Sequence, residues 1–561
     1  MAGLVFVAKL KTGATKTKGG CIRYALKMSS RTTPALPTPE PRVTLEHERR
    51  LSESLIWPLQ REFYRRRGTS AWTSGELPWY VTSNSFIARA YTRMVAGWLR
   101  DLAANGSLDR SQPVYVVELA AGSGHFAFLF LRKLEALLPE VPGLMGLDVR
   151  YVMTDLPEAN LEAWQANERF RPSLEKGRLD FALFDLERDV ELRLLRSGAV
   201  LSPGSVANPV AVLANYAFDS TSQDLFFVKE GALHEGRVTT LSSQEEPDHN
   251  DPQMLGRLTT RYSQRPAVEP YYGEAALDVL LHEYRDRLGD TAVLVPIGAI
   301  RCFENLARLS GGRLLLVSAD KGVTGVEEIV AQAEPHRARH GDCFSMDVNF
   351  HAIGRYVEAR GGQALFPVQR DRHLKATAFL LGGPPEVFPE SRLAFRESLE
   401  SFSPFDYYRL SSRIRKDYPE PPLDFILSLL KLGDWDYQFL VRYAPIIARQ
   451  APQATEGVKW ELRRALDAVW ENFYPMGVDV AFEIGRILAA MQLPFDALRY
   501  YKESLRLVGP HHATFYNMGL CLYFLQQPAE ALRLMDRSRA LKPDYPRARD
   551  WRDRLRAETG G

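Results

Sequence analysis

Four apolar runs in this chain each end in residues that can do chemistry. In the segment VYVVELAAGSGHFAFLFLRKL, the run closes on Glu118 and passes through Ala120, Ala121, Gly122, Ser123 and Gly124 before a helix starts near His125. Glycines at such a strand-to-helix turn let a ligand lie against bare backbone, where any Cβ would collide with it. The second run, RYVMTD, ends in Asp155, whose carboxylate can accept both hydroxyls of a ribose. The third, RLDFALFDLER, ends at Phe184 and Asp185. There a ring can pack on a purine and a carboxylate can accept from its amino group, or Asp185 caps the following helix. The fourth, PVAVLANYAFDSTSQDLF, places Asn215 at its end and Asp219 four residues on. An asparagine amide can steer an N–H or O–H, and a nearby carboxylate can hold a cation or take its proton. The bland alternative is that Asn215 satisfies loop backbone and Asp219 caps the next element. Phe126 and Ala127 follow Gly124 and His125, so the turn departs from the G-x-G-x-x-G pattern of dinucleotide sites.

These residues need a frame that gathers strand ends. Between Pro113 and about Gly383, the runs VYVVEL, RYVMTD, LDFALF, VAVLAN, RLLLVSAD and TAFLLGG alternate with helical stretches. That rhythm predicts an α/β, Rossmann-like, largely parallel sheet that binds its ligand at the carboxyl ends of the strands near a topological switch point. The rhythm breaks after Asp219, where DLFFVKEGALHEGRVTTL predicts a β-hairpin turning near Glu230 and Gly231. A polar, Pro-rich insertion from Ser242 to Pro270 follows it. Upstream, Glu46 to Ala104 reads as helical with one loop, AWTSGELPWYVTSN, in which Ser83 or Asn84 caps the next helix.

Beyond Phe402 the strand signals stop. Gly485 and Gly519, Leu488 and Leu522, Pro494 and Pro528, Ala497 and Ala531, and Leu507 and Leu541 recur at one fixed offset of 34 residues. This is the tetratricopeptide period, and the helices of Phe425–Phe473 are expected to stack on the repeats as a degenerate unit or cap. The expected organisation is a disordered leader (1–44), an N-terminal helical lid (45–110), an α/β catalytic domain (111–385), a helical linker or cap (386–475) and a tetratricopeptide-like array (476–561).

Composition narrows the function classes. At 561 residues the chain calls for two or three domains. A net charge of +2 gives no field for nucleic acid, and no basic stripe interleaved with aromatics is present. Seven basic residues and no acidic one precede Glu40, which reads as a disordered leader, a start upstream of a true start at Met28, or a targeting segment. No apolar run approaches the ~20 residues a membrane span needs. Four scattered cysteines (Cys21, Cys302, Cys343, Cys521) without a CxxC pair argue against disulfides or zinc and for a reducing, cytoplasmic setting.

The acid, turn and second acid resemble the E/D-x-G-x-G-x-G signature of S-adenosylmethionine-dependent methyltransferases, with Ala120 in place of the first glycine. The chain more specifically resembles the MidA family of these enzymes, relatives of the mitochondrial complex I assembly factor that methylates a protein arginine. The resemblance runs from about Tyr80 to Gly362, in order. It comprises Thr82 and Ser83 before a helix, the turn after Glu118, Asn215 to Ser222 for an N-E-x-x-D-A-x-P element, and the hairpin FVKEGALHEGRV. Pro296 and Gly298 then precede a helix, Asp320-Lys321-Gly322 stands for D-Y-G, and FSMDVNFHAIGRYVEARGG closes the set. It implies a class I methyltransferase sheet and S-adenosylmethionine as cofactor. The implied cofactor residues are Thr82, Ser83, Glu118, Gly122, Gly124, Asp155, Phe184, Asp185 and Asn215, and the implied catalytic residues are Asn215, Asp219 and Asp320. Tyr216 stands in place of the motif glutamate, and Asn349 in place of an aspartate. Both remove negative charge near the expected acceptor, which admits a substrate less cationic than arginine. His351 reads as a capping or packing residue with a catalytic role as the alternative, and His511-His512 as a solvent-facing loop. The expected activity is methyl transfer to a protein or peptide recruited by the helical tail. A small-molecule N- or O-methyltransferase and a non-catalytic assembly factor are the competing readings.

Overall fold

The computed structural model describes residues 43–68, 80–248, 250–329, 332–368 and 371–559. The expected leader falls outside the described residues except for its last two positions. Most of the predicted loop before Tyr80 falls outside them as well.

All six predicted strands form, and they share one sheet. In chain order the sheet strands are β1 (Val114–Leu119), β2 (Val149–Asp155), β3 (Leu179–Leu183), β4 (Val210–Asn215), β5 (Leu314–Asp320), β6 (Gln363–Leu365) and β7 (Lys375–Leu381). The spatial order is β3-β2-β1-β4-β5-β7-β6. Strands β1 to β5 are parallel, while β7 runs antiparallel to both β5 and β6. The five-strand part matches a doubly wound nucleotide fold, but an all-parallel dinucleotide sheet would continue with a parallel sixth strand beside β5. Strands β1, β5 and β7 are buried along their whole length, as expected where helices cover both faces. Order reverses between β1 and β4, which opens a crevice at their carboxyl ends.

A second, antiparallel sheet departs from the sequence reading. The predicted hairpin is present as Asp224–Lys229 and Ala232–Ser242, turning at Glu230 and Gly231. Its long strand also pairs with Val43–Arg50 and with Leu258–Pro266, and Thr291–Val295 pairs with its short strand. One expectation is thereby corrected: the region from Glu46 does not begin as helix. The Ser242–Pro270 insertion contributes the strand Leu258–Pro266. Both segments are polar because they are half-covered strands, and backbone pairing to Ala232–Ser242 overrides their weak local preference. The helix Ile56–Arg67 packs Ile56, Trp57, Leu59 and Phe63 against this sheet and against Phe344 and Met346.

The described residues up to Tyr408 and those from Arg409 onward cluster as separate compact units. In the second unit the helices Val480–Ala490, Pro494–Val508, His512–Phe524 and Pro528–Leu541 alternate. A Cβ on Gly485 would come within 2.8 Å of Tyr501, and one on Gly519 within 2.8 Å of Met535, so the glycines mark equivalent helix crossings. Gln492 and Gln526 take the same left-handed turn (φ 62 and 60), each two residues before a helix that opens on proline. The helix Glu456–Glu471 joins this stack through Asp467, which accepts from the Tyr500 hydroxyl at 2.9 Å. The His511-His512 pair is not simply solvent-facing. His511 caps a helix through Nδ1, and His512 lies edge-on to Tyr545.

Candidate active site

The crevice at the switch point is a cavity enclosing about 1350 Å³, its open mouth included. Thr82, Ser83, Glu118, Ala120 to Ser123, Phe126, Asp155, Leu156 and Phe184 to Leu186 line one part of it. Asn215 to Ala217, Asp219 to Thr221, Arg61, Tyr64, Glu187, Lys321, His340 and Ser345 line the rest. All the expected site residues come together there except Gly124 and Asp320.

The turn after β1 is held tightly. Asp155 Oδ2 accepts from the Gly122 amide at 2.8 Å and from Asn160 Nδ2 at 2.9 Å, and Oδ1 accepts from the Leu156 amide at 2.8 Å. The Ala121 amide bonds to the Thr154 carbonyl, the Gly124 amide to the Ala121 carbonyl, and the His125 amide to Ser123 Oγ. Four amides of the turn are thus already engaged, so the turn is not the open N–H cradle that phosphates need. Asp155 likewise has one oxygen filled and one with room for a further donor. Burial raises the pKa of Asp155 against the hydrogen bonds it accepts. Burial also pushes Glu118 up to about 8, opposed by the Tyr151 hydroxyl that donates to it at 2.9 Å.

Gly124 does not line the cavity. Its φ of 78 suits glycine, and a Cβ there would meet Met153, Trp164 and Phe170 at 3.0–3.2 Å. It serves packing beneath the turn rather than direct ligand contact. Ala120, where the signature has glycine, sits at φ 50. A left-handed alanine costs about 1–2 kcal/mol, partly offset by the ~0.5–1 kcal/mol that glycine loses in backbone entropy. Ala120→Gly is therefore expected to stabilise the protein by up to about 1 kcal/mol in chemical denaturation. Destabilisation by that amount would refute the strain. Tyr216, at φ 47 after β4, carries the same kind of strain on the other side of the switch point.

Phe184 is buried and sits among the sheet-core apolar residues at the cavity edge. No α-helix follows Asp185. Its Oδ1 accepts from the Glu187 amide at 3.0 Å in a tight turn, so the helix-cap alternative is replaced by a turn. Asn84 caps the helix Ser85–Ala104 through the Ile87 amide, leaving Thr82 and Ser83 to face the cavity. Asn215 Oδ1 accepts from the Tyr91 hydroxyl at 2.7 Å, and its Nδ2 donates to the Thr82 carbonyl at 3.3 Å. Its amide is fixed by its neighbours and presents an edge to the cavity.

Asp219 faces the same space, with Ser220 Oγ donating to its Oδ1 at 2.9 Å. Burial pushes its carboxyl up to about 6, opposed by that hydroxyl and by the Lys321 charge. Asp320 lies fully buried beneath it and does not reach the cavity. Its Oδ2 accepts from the Phe218 and Asp219 amides at 3.1 and 3.0 Å, and its Oδ1 from the Lys321 amide at 2.8 Å. The expected catalytic role of Asp320 is corrected to one of holding the turn that carries Asp219. Asn349 is also remote: it caps a helix through Ala352 and donates to Tyr284 and to the Leu294 carbonyl. Its replacement of an acid therefore takes no charge from the cavity wall. His351 Nδ1 shares a hydrogen bond with the Tyr284 hydroxyl at 3.0 Å.

Sequence reading missed the wall made by Arg61, Tyr64, His340 and Ser345. It is assembled from the helix Ile56–Arg67 and the hairpin Arg337–His340 and Cys343–Met346. Gln60 clamps the two, donating to the Phe344 carbonyl at 2.8 Å and accepting from its amide at 3.1 Å. Arg61 pairs with Glu187 at 3.3 Å. No motif signals such a wall, because its members are far apart in sequence. Among the described residues no group of histidine, cysteine, aspartate and glutamate could hold a metal ion. Nor is any described helix long and apolar enough to cross a membrane. Cys302, Cys343 and Cys521 are buried free thiols.

No protein-family model matches the chain, and no curated protein does. Among solved structures, it is similar to a Burkholderia thailandensis protein solved with S-adenosyl-homocysteine bound. The identity is 16%, covering 60% of this chain and 95% of that one, with a TM-score of 0.33. An uncharacterized protein from the same organism and superfamily matches at 15% identity, 60% and 95% coverage and a TM-score of 0.31. The 1,6-didemethyltoxoflavin-N1-methyltransferase of that organism, with its substrate and S-adenosylhomocysteine bound, matches at 10% identity, 61% and 94% coverage and a TM-score of 0.27. Likeness of this degree decides no function, which rests instead on the residues of the cavity itself.

Proposed function

We propose that the chain is an S-adenosylmethionine-dependent methyltransferase of the MidA type. The carrying observation is the donor set of the switch-point cavity. Four of the turn amides are occupied, and the carboxyl side chains of Glu118, Asp155, Asp185, Glu187 and Asp219 line the space together with Arg61 and Lys321. Such a lining suits a ligand with hydroxyls, an amino-bearing ring and a positive charge. S-adenosylmethionine fits that description, and when bound it supplies a sulfonium-activated methyl group to the acceptor's lone pair and leaves as S-adenosylhomocysteine.

The residues of this chain do the rest. Glu118 and the open oxygen of Asp155 accept from ribose hydroxyls, Phe184 and Asp185 address the base, and the Thr82–Ser83 segment covers the site. Asn215 orients the acceptor, and Asp219 takes its proton, since a carboxyl near 6 is ionised yet basic at neutral pH. Excluding water and fixing the approach supply most of the rate. The acceptor is carried on a protein or peptide, and residues 476–561 form the tetratricopeptide-type array that recruits it, a reading supported by the glycine crossings and turns that recur 34 residues apart.

Calorimetry with S-adenosylhomocysteine tests the first part: micromolar binding is expected, and no heat at millimolar ligand would overturn the enzyme assignment. A chain ending at Tyr408 is expected to keep that binding within about twofold while losing at least about tenfold in turnover of a protein acceptor at low concentration. Unchanged turnover would remove the recruiting role.

A further inference from the structure

We propose that the acceptor presents an anionic oxygen group beside its nucleophilic atom, and that Lys321 is the specificity residue that binds it. This rests on the methyltransferase reading above. Lys321 follows β5 directly and lines the cavity on the side of Asp219. Its backbone is fixed: its carbonyl accepts from the Val348 amide at 2.8 Å, and its amide donates to Asp320 at 2.8 Å. Gly322 then runs so close to Val348 that a Cβ would lie 2.0 Å from its carbonyl oxygen. The ammonium acts electrostatically on Asp219, against the burial that raises its pKa, and on His340, together with the burial that lowers it. Yet among the described residues it makes no hydrogen bond or ion pair.

Of the other charges facing this end, Glu187 and Arg61 are matched, while Asp347 acts electrostatically on Asp219. Glu187 accepts from Arg61, from the Ser222 amide at 3.1 Å and from the Ser222 hydroxyl. Burial and the Lys321 charge lower the pKa of His340, which shares a hydrogen bond with Ser345 at 3.0 Å. Asp219, with Asp347 raising its pKa, is the acid left to receive a proton. The space between Asp219 and Lys321 therefore offers a proton acceptor on one side and an unpaired cation on the other. A guanidinium placed there would meet Lys321 as a like charge. An amine or hydroxyl with a neighbouring carboxylate or phosphate satisfies both groups, its N–H or O–H proton passing to Asp219 while its anion stays on Lys321.

The test uses the full chain saturated with S-adenosylhomocysteine, titrated with benzoate, phenyl phosphate, benzamide and benzamidine. At least one anionic probe is expected to bind tenfold or more tighter than benzamide, with benzamidine weakest. Preference for benzoate assigns a carboxylate, and preference for phenyl phosphate a phosphate group. Lys321→Gln is expected to abolish the anion preference, and Lys321→Arg to restore it, with S-adenosylhomocysteine affinity unchanged in both. Benzamidine binding tightest, no anion preference, or a preference that survives in Lys321→Gln would each overturn the proposal. Loss of S-adenosylhomocysteine binding by the wild-type chain would instead sink the methyltransferase reading itself.

Discussion

Replacing Asp219 by asparagine is expected to slow methyl transfer by about 10²- to 10⁴-fold and to erase the acid limb of the pH–rate profile. The wild-type carboxyl titrates near 6 because it is buried, so activity should climb as pH rises through 6 and level off above 7. The variant has no such group and should be uniformly slow. Stability moves the opposite way. A carboxyl whose folded pKa is raised contributes stability that is full below its unfolded value and is lost as pH rises through about 6. Asp219→Asn should therefore melt higher than wild type at pH 8 and show no such gain at pH 3. That combination, a slower but more stable protein, separates a proton acceptor from a merely structural acid. A variant that keeps both the rate and the limb would show that the proton leaves elsewhere. Labelled S-adenosylmethionine with a lysate acceptor, followed from pH 5 to 9, gives the profile.

Asp155→Ala is expected to have the largest effect on the cofactor. The carboxylate ties down the Gly122 amide, the Leu156 amide and Asn160 at once. Its removal leaves a buried turn amide without a partner, at a cost of about 1–3 kcal/mol. It also removes the oxygen with room for a ribose hydroxyl. Together these should weaken S-adenosylhomocysteine binding by about 100-fold or more, roughly 3 kcal/mol. Asp155→Asn keeps one carbonyl oxygen and should fall between the two. Calorimetry beside chemical denaturation separates the effects. If Asp155→Ala binds within twofold of wild type, the cofactor does not lie against this turn.

The reading of strand ends succeeded where chemistry and local pattern coincide. Glu118, Asp155, Phe184, Asp185, Asn215 and Asp219 each follow an apolar run, and parallel strands bring such ends to one edge whatever the detailed packing. The 34-residue offset was equally legible, because a repeat repeats its contacts: Gly485 meets Tyr501 as Gly519 meets Met535. Gly124 and Asp320 show the limit. Residue type and spacing mark a turn or strand end, but not which side of it faces the cavity. One proved to face Trp164 and the other the amides of residues 218 and 219.

Local periodicity and the placement of glycine and proline were enough to set the alternation of strand and helix, the positions of the chemistry-bearing turns, and the helical repeat. The second sheet and the cavity wall of Arg61, Tyr64, His340 and Ser345 arise instead from long-range pairing. Val43–Arg50 is a strand because its backbone groups pair with residues 237–242, nearly two hundred positions away. Arg61 and His340 share a cavity because Gln60 bonds to Phe344 across 284 residues. Pairings of that span leave no periodic trace in the chain, since their favourable energy comes from groups that meet only after the sheet has formed.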